Sequence, residues 1–116
     1  MENPCVMIDL KSTSDARPWA FSKSIAEYMY HLSAALYVDG CKANGFDVKE
    51  FHLLAVENKH PYGVMWYQLD DASIDKGREL YRRALNKIVD GLQPDAPQFY
   101  PTDIETISIP AYAWTE

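Results

Sequence analysis

The sequence predicts an α/β or α+β layer fold, a small three-stranded sheet flanked by two long helices, and three observations carry that prediction. Val6-Met7-Ile8-Asp9-Leu10-Lys11 alternates between two kinds of side chain with the period of a strand. Phe51–Glu57 and Tyr62–Leu69 are apolar, aromatic runs separated by a short turn. Two longer stretches, 19–39 and 71–91, repeat their apolar residues at spacings of three and four. Strand, helix, hairpin, helix and tail is an order that packs in layers.

In the first strand, Val6, Ile8 and Leu10 line one face, apolar enough to lie in a core. Asp9 and Lys11 emerge together on the other, roughly 6–7 Å apart along the strand. The connection Ser12–Arg17 is rich in turn formers, and Pro18 suits a first helical position, where its missing N–H does no harm. Trp19–Asp39 then reads as one helix, with Phe21, Ile25, Tyr28, Met29, Leu32 and Leu36 as its apolar stripe and Gly40 as its stop. Trp19, Tyr30, Ser33 and Tyr37 fall on the opposite side. Such a two-faced helix is either sandwiched in a larger core, the favoured reading, or lines a site.

Residues 41–48, with Asn44 and Gly45, read as a loop. Phe51–Glu57 suits a strand covered on both sides. Asn58-Lys59-His60-Pro61 makes the turn into a second, antiparallel strand. Glu57-Asn58-Lys59 repeats an acid-x-lysine spacing, but its place at a turn marks it as a solvated strand end. Asp70 or Asp71 caps the second helix, whose apolar stripe is Ile74, Tyr81, Leu85, Ile88 and Leu92. Lys76, Arg78, Arg82, Arg83 and Lys87 make it the most basic segment, a solvated face before it is a phosphate-contacting one. The Pro-punctuated tail, ending in Ile107–Trp114, is expected to pack along the domain as an irregular or edge segment.

The 116 residues form one domain with enough length for a core, and 47% hydrophobic with 24% charged residues excludes a disordered chain. No apolar run approaches a membrane span, so an intracellular location is the default. Two cysteines, Cys5 and Cys41, are too few for a disulfide scaffold or a zinc site and read as free thiols. The net charge of −6 argues against a generic nucleic-acid binder, which carries surplus Lys and Arg. It leaves room for a metal-dependent nuclease with an acidic centre. An acid and a lysine side by side on a buried strand cost desolvation energy unless something uses them. A divalent metal on Asp9 and a reacting phosphate beside Lys11 would do so.

The order of segments resembles the exonuclease VIII (RecE-type) family. The resemblance runs through Ile8-Asp9-Leu10-Lys11-Ser12-Thr13, Phe21–Ala26, Tyr30–Gly40, Ala55-Val56-Glu57, Tyr67–Asp71, Gly77–Leu85 and Ile109–Trp114, nearly the whole chain. It implies a partial PD-(D/E)XK restriction-endonuclease-like fold and a mixed sheet. It also implies 5′-to-3′ degradation of double-stranded DNA from its ends, with Mg²⁺ (or Mn²⁺), in phage or prophage recombination in the bacterial cytoplasm. Asp9 matches a metal-binding acid and Lys11 the lysine of the (D/E)XK motif. Tyr37 matches the tyrosine of a Gln-xxx-Tyr motif, and Ser33 stands where relatives carry glutamine.

Arg78, Arg82 and Arg83 are the residues expected on DNA. The family's first essential aspartate and an earlier acid or histidine ligand precede the D-x-K strand, and no counterpart lies before Asp9. Residues 1–116 therefore read as the C-terminal portion of a nuclease domain, inactive alone and associating with itself or with the missing half. A non-catalytic DNA-binding or self-associating remnant is the alternative.

Overall fold

The computed structural model describes residues 3–115. Three strands, β1 (Asn3–Thr13), β2 (Phe46–Glu57) and β3 (Val64–Leu69), form one mixed sheet in the order β1-β2-β3. β1 and β2 run parallel, with Asp9 opposite Leu53 and Lys11 opposite Ala55. Parallel neighbours need a crossover, and the helices α1 (Pro18–Glu27) and α2 (Tyr30–Ala43) provide it. β3 returns antiparallel from β2, pairing Leu54 with Trp66 and Phe51 with Leu69. A third helix, α3 (Asp71–Gly91), packs on α2, and a short 3-10 turn closes the tail at Ala111–Thr115. The three-stranded mixed sheet and helical layer are the α+β architecture that the residue pattern predicts.

All of the core lies on one side of the sheet. Phe51, Leu53 and Ala55 of β2 meet Phe21 of α1 and Ala34, Ala35 and Val38 of α2, all buried. Small residues at 34 and 35 let α2 lie close to the sheet. On its far side α2 approaches α3 so tightly that a Cβ on Gly77 would collide with the His31 carbonyl. Asp70 caps α3 by accepting the Ser73 N–H at 3.0 Å.

Several expectations need correcting. The expected single helix from Trp19 to Asp39 is broken, because Tyr28 closes α1 and Met29 takes a left-handed conformation (φ 54°, ψ 43°) before α2 restarts. The break rephases the second half, so Tyr28, Met29 and Leu36 of the predicted stripe are exposed and Ala34, Ala35 and Val38 take the core. The expected loop at 41–48 shrinks to the turn at Asn44–Gly45, with Gly45 at φ 92°. Val6, Ile8 and Leu10 lie on an open sheet face instead of in a core, since both helical layers cover the other side.

The tail leaves the body instead of packing along it. Residues 82–91 of α3 are all exposed, and Ile104 and Ile107 are almost wholly so. The radius of gyration is 17.6 Å, against about 13 Å for a compact chain of roughly this length.

Candidate active site on the first strand

Asp9 and Lys11 point to the helical side of the sheet, where alternation along β1 places them in line with Met7 and Thr13. The Lys11 ammonium lies 3.2 Å from Asp9 Oδ2, and each side chain keeps about a quarter of its surface exposed (25% and 23%). The ammonium also sits 4.6 Å from the centroid of the Tyr30 ring, a cation–π contact. Tyr30 is fixed in turn. Its ring stacks on Tyr28 at 5.7 Å and leans on Phe21 at 6.1 Å, and Phe21 stacks on Tyr67 at 5.4 Å. The Tyr67 hydroxyl donates to the Ala16 carbonyl, and burial raises its pKa. The left-handed turn at Met29 delivers Tyr30 into this stack, an uncommon conformation for a non-glycine residue, costing about 1–2 kcal/mol.

Along α2, Tyr30, Ser33 and Tyr37 occupy one stripe at spacings of three and four. Tyr30 stands at the Lys11 end of the strand, and half-exposed Tyr37 shares a depression with Met7, Cys41 and Phe46. Ser33, half-buried, lies between them on that stripe. The helix thus runs antiparallel to β1 and lays its hydroxyl-bearing face along the Met7–Asp9–Lys11 row. In the sequence Tyr30 falls on this helix side with no role attached to it. The signal was its i,i+3,i+7 spacing with Ser33 and Tyr37.

The basic residues of α3 are arranged differently. Arg78 is gripped by Asp39 of α2 through Nε (2.8 Å) and Nη2 (2.7 Å), and by Asp75 through Nη1 (2.7 Å). The Arg78 guanidinium and the Tyr81 hydroxyl, which also donates to Asp39, hold the Asp39 carboxyl down at about 2. The Arg78 pKa rises through the same bonds. This network locks α2 to α3. Arg83 pairs with Glu79 at 3.0 Å, and Arg82 is exposed without an ion pair among the described residues. None of the three arginines shares an ion pair or a depression with Asp9 or Lys11 among those residues.

Glu57, read as a solvated strand end, has a structural task. Its carboxylate accepts the Ala16 N–H at 3.1 Å and the Gly63 N–H at 2.8 Å, tying the β1–α1 connection to the β2–β3 turn. Elsewhere, a depression of about 450 Å³ between β2 and α3 gathers Asp47, Asp71 and Asp75, but Asp47 faces Lys49 at 2.9 Å and Asp75 faces Arg78.

Among the described residues Asp9 is the one carboxylate that stands in this row. Mg²⁺ is bound through one or two carboxylates together with waters and substrate phosphates, so Asp9 suits a single ligand position. No group of three or more His, Cys, Asp or Glu able to hold a metal stands among the described residues. Among those residues Asp9 would hold such an ion only with ligands from outside the row. No helix is long and apolar enough to cross a membrane.

With a D-x-K strand, a crossover to a parallel neighbour and a helix laid along the charged row, the fold has the form of a PD-(D/E)XK-type domain. The family described as a PDDEXK-like domain of unknown function (DUF3799) matches residues 1–100, and the chain belongs to it. That is a nuclease-type class, whose enzymes act on DNA and generally depend on divalent metals. A comparison with curated proteins returned no match.

Proposed function

We propose that this chain is part of a metal-dependent nuclease acting on the ends of double-stranded DNA, with Asp9 and Lys11 as its catalytic pair. The observation that carries the reading is the Asp9–Lys11 pair, held on the helix-covered side of β1 by the Tyr30 ring in a chain of the PDDEXK-like family. The resemblance to exonuclease VIII extends it to 5′-to-3′ hydrolysis, Mg²⁺ or Mn²⁺, and a part in phage or prophage recombination. In this reading residues 1–116 are the C-terminal portion of the nuclease domain, and other metal ligands come from elsewhere.

A bound divalent metal would supply charge neutralisation at the scissile phosphate and a more acidic attacking water. Asp9 contributes one carboxylate to it. Lys11 brings a fixed positive charge to the developing oxyanion, and Tyr30 keeps the ammonium from swinging into solvent. Tyr37, half-exposed on the same stripe, offers a hydroxyl to a phosphate or sugar. Arg82 and Arg83 serve as outlying phosphate contacts, while Arg78 is reserved for Asp39.

A non-catalytic DNA-binding remnant is the second reading, favoured by the single carboxylate already neutralised by Lys11. Fluorescence anisotropy with a blunt-ended duplex separates the two. The nuclease reading expects binding that strengthens with Mg²⁺, with the Mg²⁺ response lost in Asp9→Ala, and a preference for free ends over a closed circle. Binding that ignores Mg²⁺ and Asp9 supports the remnant; no binding at low salt overturns both.

A further inference from the structure

Tyr28 stands beside the candidate site and takes no part in the core. It closes α1, its N–H bonded to the Ser24 carbonyl at 2.9 Å, and the left-handed turn at Met29 follows at once. Its ring stacks on Tyr30 with centroids 5.7 Å apart and planes inclined by 27°, yet 62% of the residue stays open to solvent. Tyr30 in turn carries the Lys11 ammonium at 4.6 Å from its centroid. Two short contacts therefore connect the lysine of the D-x-K strand to an exposed aromatic face.

The fold holds that face still. Tyr28 is backed by Tyr30, Tyr30 by Phe21 and Phe21 by Tyr67, whose hydroxyl donates to the Ala16 carbonyl. A ligand that stacks on Tyr28 meets a ring already ordered by this ladder, so little side-chain freedom is lost on binding. The planar groups that DNA offers to such a ring are its bases. Inside a duplex each base is covered above and below by its neighbours, so a bare face exists only at an end or on an unpaired nucleotide. Phosphates of one stacked strand follow each other about 3.4 Å apart along the axis. A strand with a phosphate at Lys11 thus brings a base to Tyr28 within roughly three nucleotides.

Resting on the nuclease reading, we propose that Tyr28 recognises the DNA end by stacking on the bare face of the terminal base while the same strand's phosphate lies against Lys11. Asp9 and Lys11 meet only metal and phosphate, which are alike at an end and in the interior of a duplex. Tyr28 supplies the difference. Every base has a π-face, so the contact separates end from interior and does not separate one base from another.

Fluorescence anisotropy in Mg²⁺ on the full chain tests this with one duplex in two forms, linear and closed into a circle. The wild-type chain is expected to bind the linear form about tenfold more tightly. Tyr28→Ala should close that gap and Tyr28→Phe should keep it. A fluorescent aminopurine placed at the terminal position reads the stack in the wild-type chain alone: its emission should change on binding, and the same base placed in the interior should not respond. A gap that persists in Tyr28→Ala, a terminal aminopurine that does not respond, or a Tyr28→Ala chain that loses both forms by the same factor, as a mere prop for Tyr30 would, each overturns the end contact. In those cases an Mg²⁺ response abolished by Asp9→Ala still supports the nuclease reading. No binding to either form at low salt overturns that reading and the end contact together.

Discussion

Lys11 stands between Asp9 and the ring of Tyr30, 3.2 Å from the carboxylate and 4.6 Å from the ring centroid. One ammonium with two seats keeps its position if the carboxylate turns to another cation. That arrangement separates a poised lysine from an ordinary partly exposed ion pair, which contributes at most about 1 kcal/mol.

Tyr30→Phe keeps the ring and should leave Lys11 in place, whereas Tyr30→Leu should release it. NMR of the Lys11 ε-methylene protons reads this through the ring current. The upfield shift is expected to persist in Tyr30→Phe and disappear in Tyr30→Leu, with a stability loss from the cation–π contact of about 0.5–1 kcal/mol. An unchanged shift in Tyr30→Leu would remove the tyrosine from the site.

Asp39 gives the protein an acid-sensitive joint. Its folded pKa, about 2, lies below the ordinary carboxyl value of 3.8 because of the Arg78 guanidinium. A depressed carboxylate contributes stability that is fully present above its unfolded pKa and lost as pH falls through the folded value. The window is therefore pH 4 to 2, and the contribution is about 2 kcal/mol. Denaturant melts across that range should show the loss, and Asp39→Asn should flatten it. An equally steep fall in Asp39→Asn would place the acid sensitivity elsewhere.

Gly77→Ala should be among the most damaging single changes. Its new Cβ meets the backbone of His31, which cannot rotate away as a side chain would. The helices must separate, at a cost of roughly 3 kcal/mol. Thermal denaturation reads this directly, and a melting temperature within a degree of wild type would contradict the close approach of α2 and α3.

Glu57→Ala should strand the N–H groups of Ala16 and Gly63, costing about 2–4 kcal/mol for two orphaned donors in a half-buried setting. Hydrogen exchange at those two amides should accelerate before the rest of the sheet does. Uniform acceleration would mean that Glu57 supports the whole fold instead of these two connections.

The strands and the D-x-K pair were legible because period-2 alternation is a local property, and both faces of β1 declare themselves within eight residues. The hairpin was legible for the same reason. The helix break was not, since Tyr28-Met29-Tyr30 contains neither glycine nor proline; stacking of Tyr30 on Phe21 and Tyr28 favours it, and that needs the tertiary fold. Arg78 looked like a companion of Arg82 and Arg83 because spacing on one helix was visible, whereas its grip on Asp39, 39 positions earlier, was not. Glu57 was misread for a similar reason, as its two donors come from separate connections. The open apolar face was read as core because a run of Val, Ile and Leu does not record whether anything covers it.

On the proposed reading Asp9 is a metal ligand in the presence of DNA. Paramagnetic broadening by Mn²⁺, followed residue by residue in the NMR spectrum of the protein bound to a short blunt duplex, tests it most directly. The amides around Asp9 on β1, with those of Leu53 opposite, are expected to broaden first, and Asp9→Ala to abolish the effect. Broadening centred on the Asp47, Asp71 and Asp75 cluster, or broadening of β1 that survives Asp9→Ala, would contradict it.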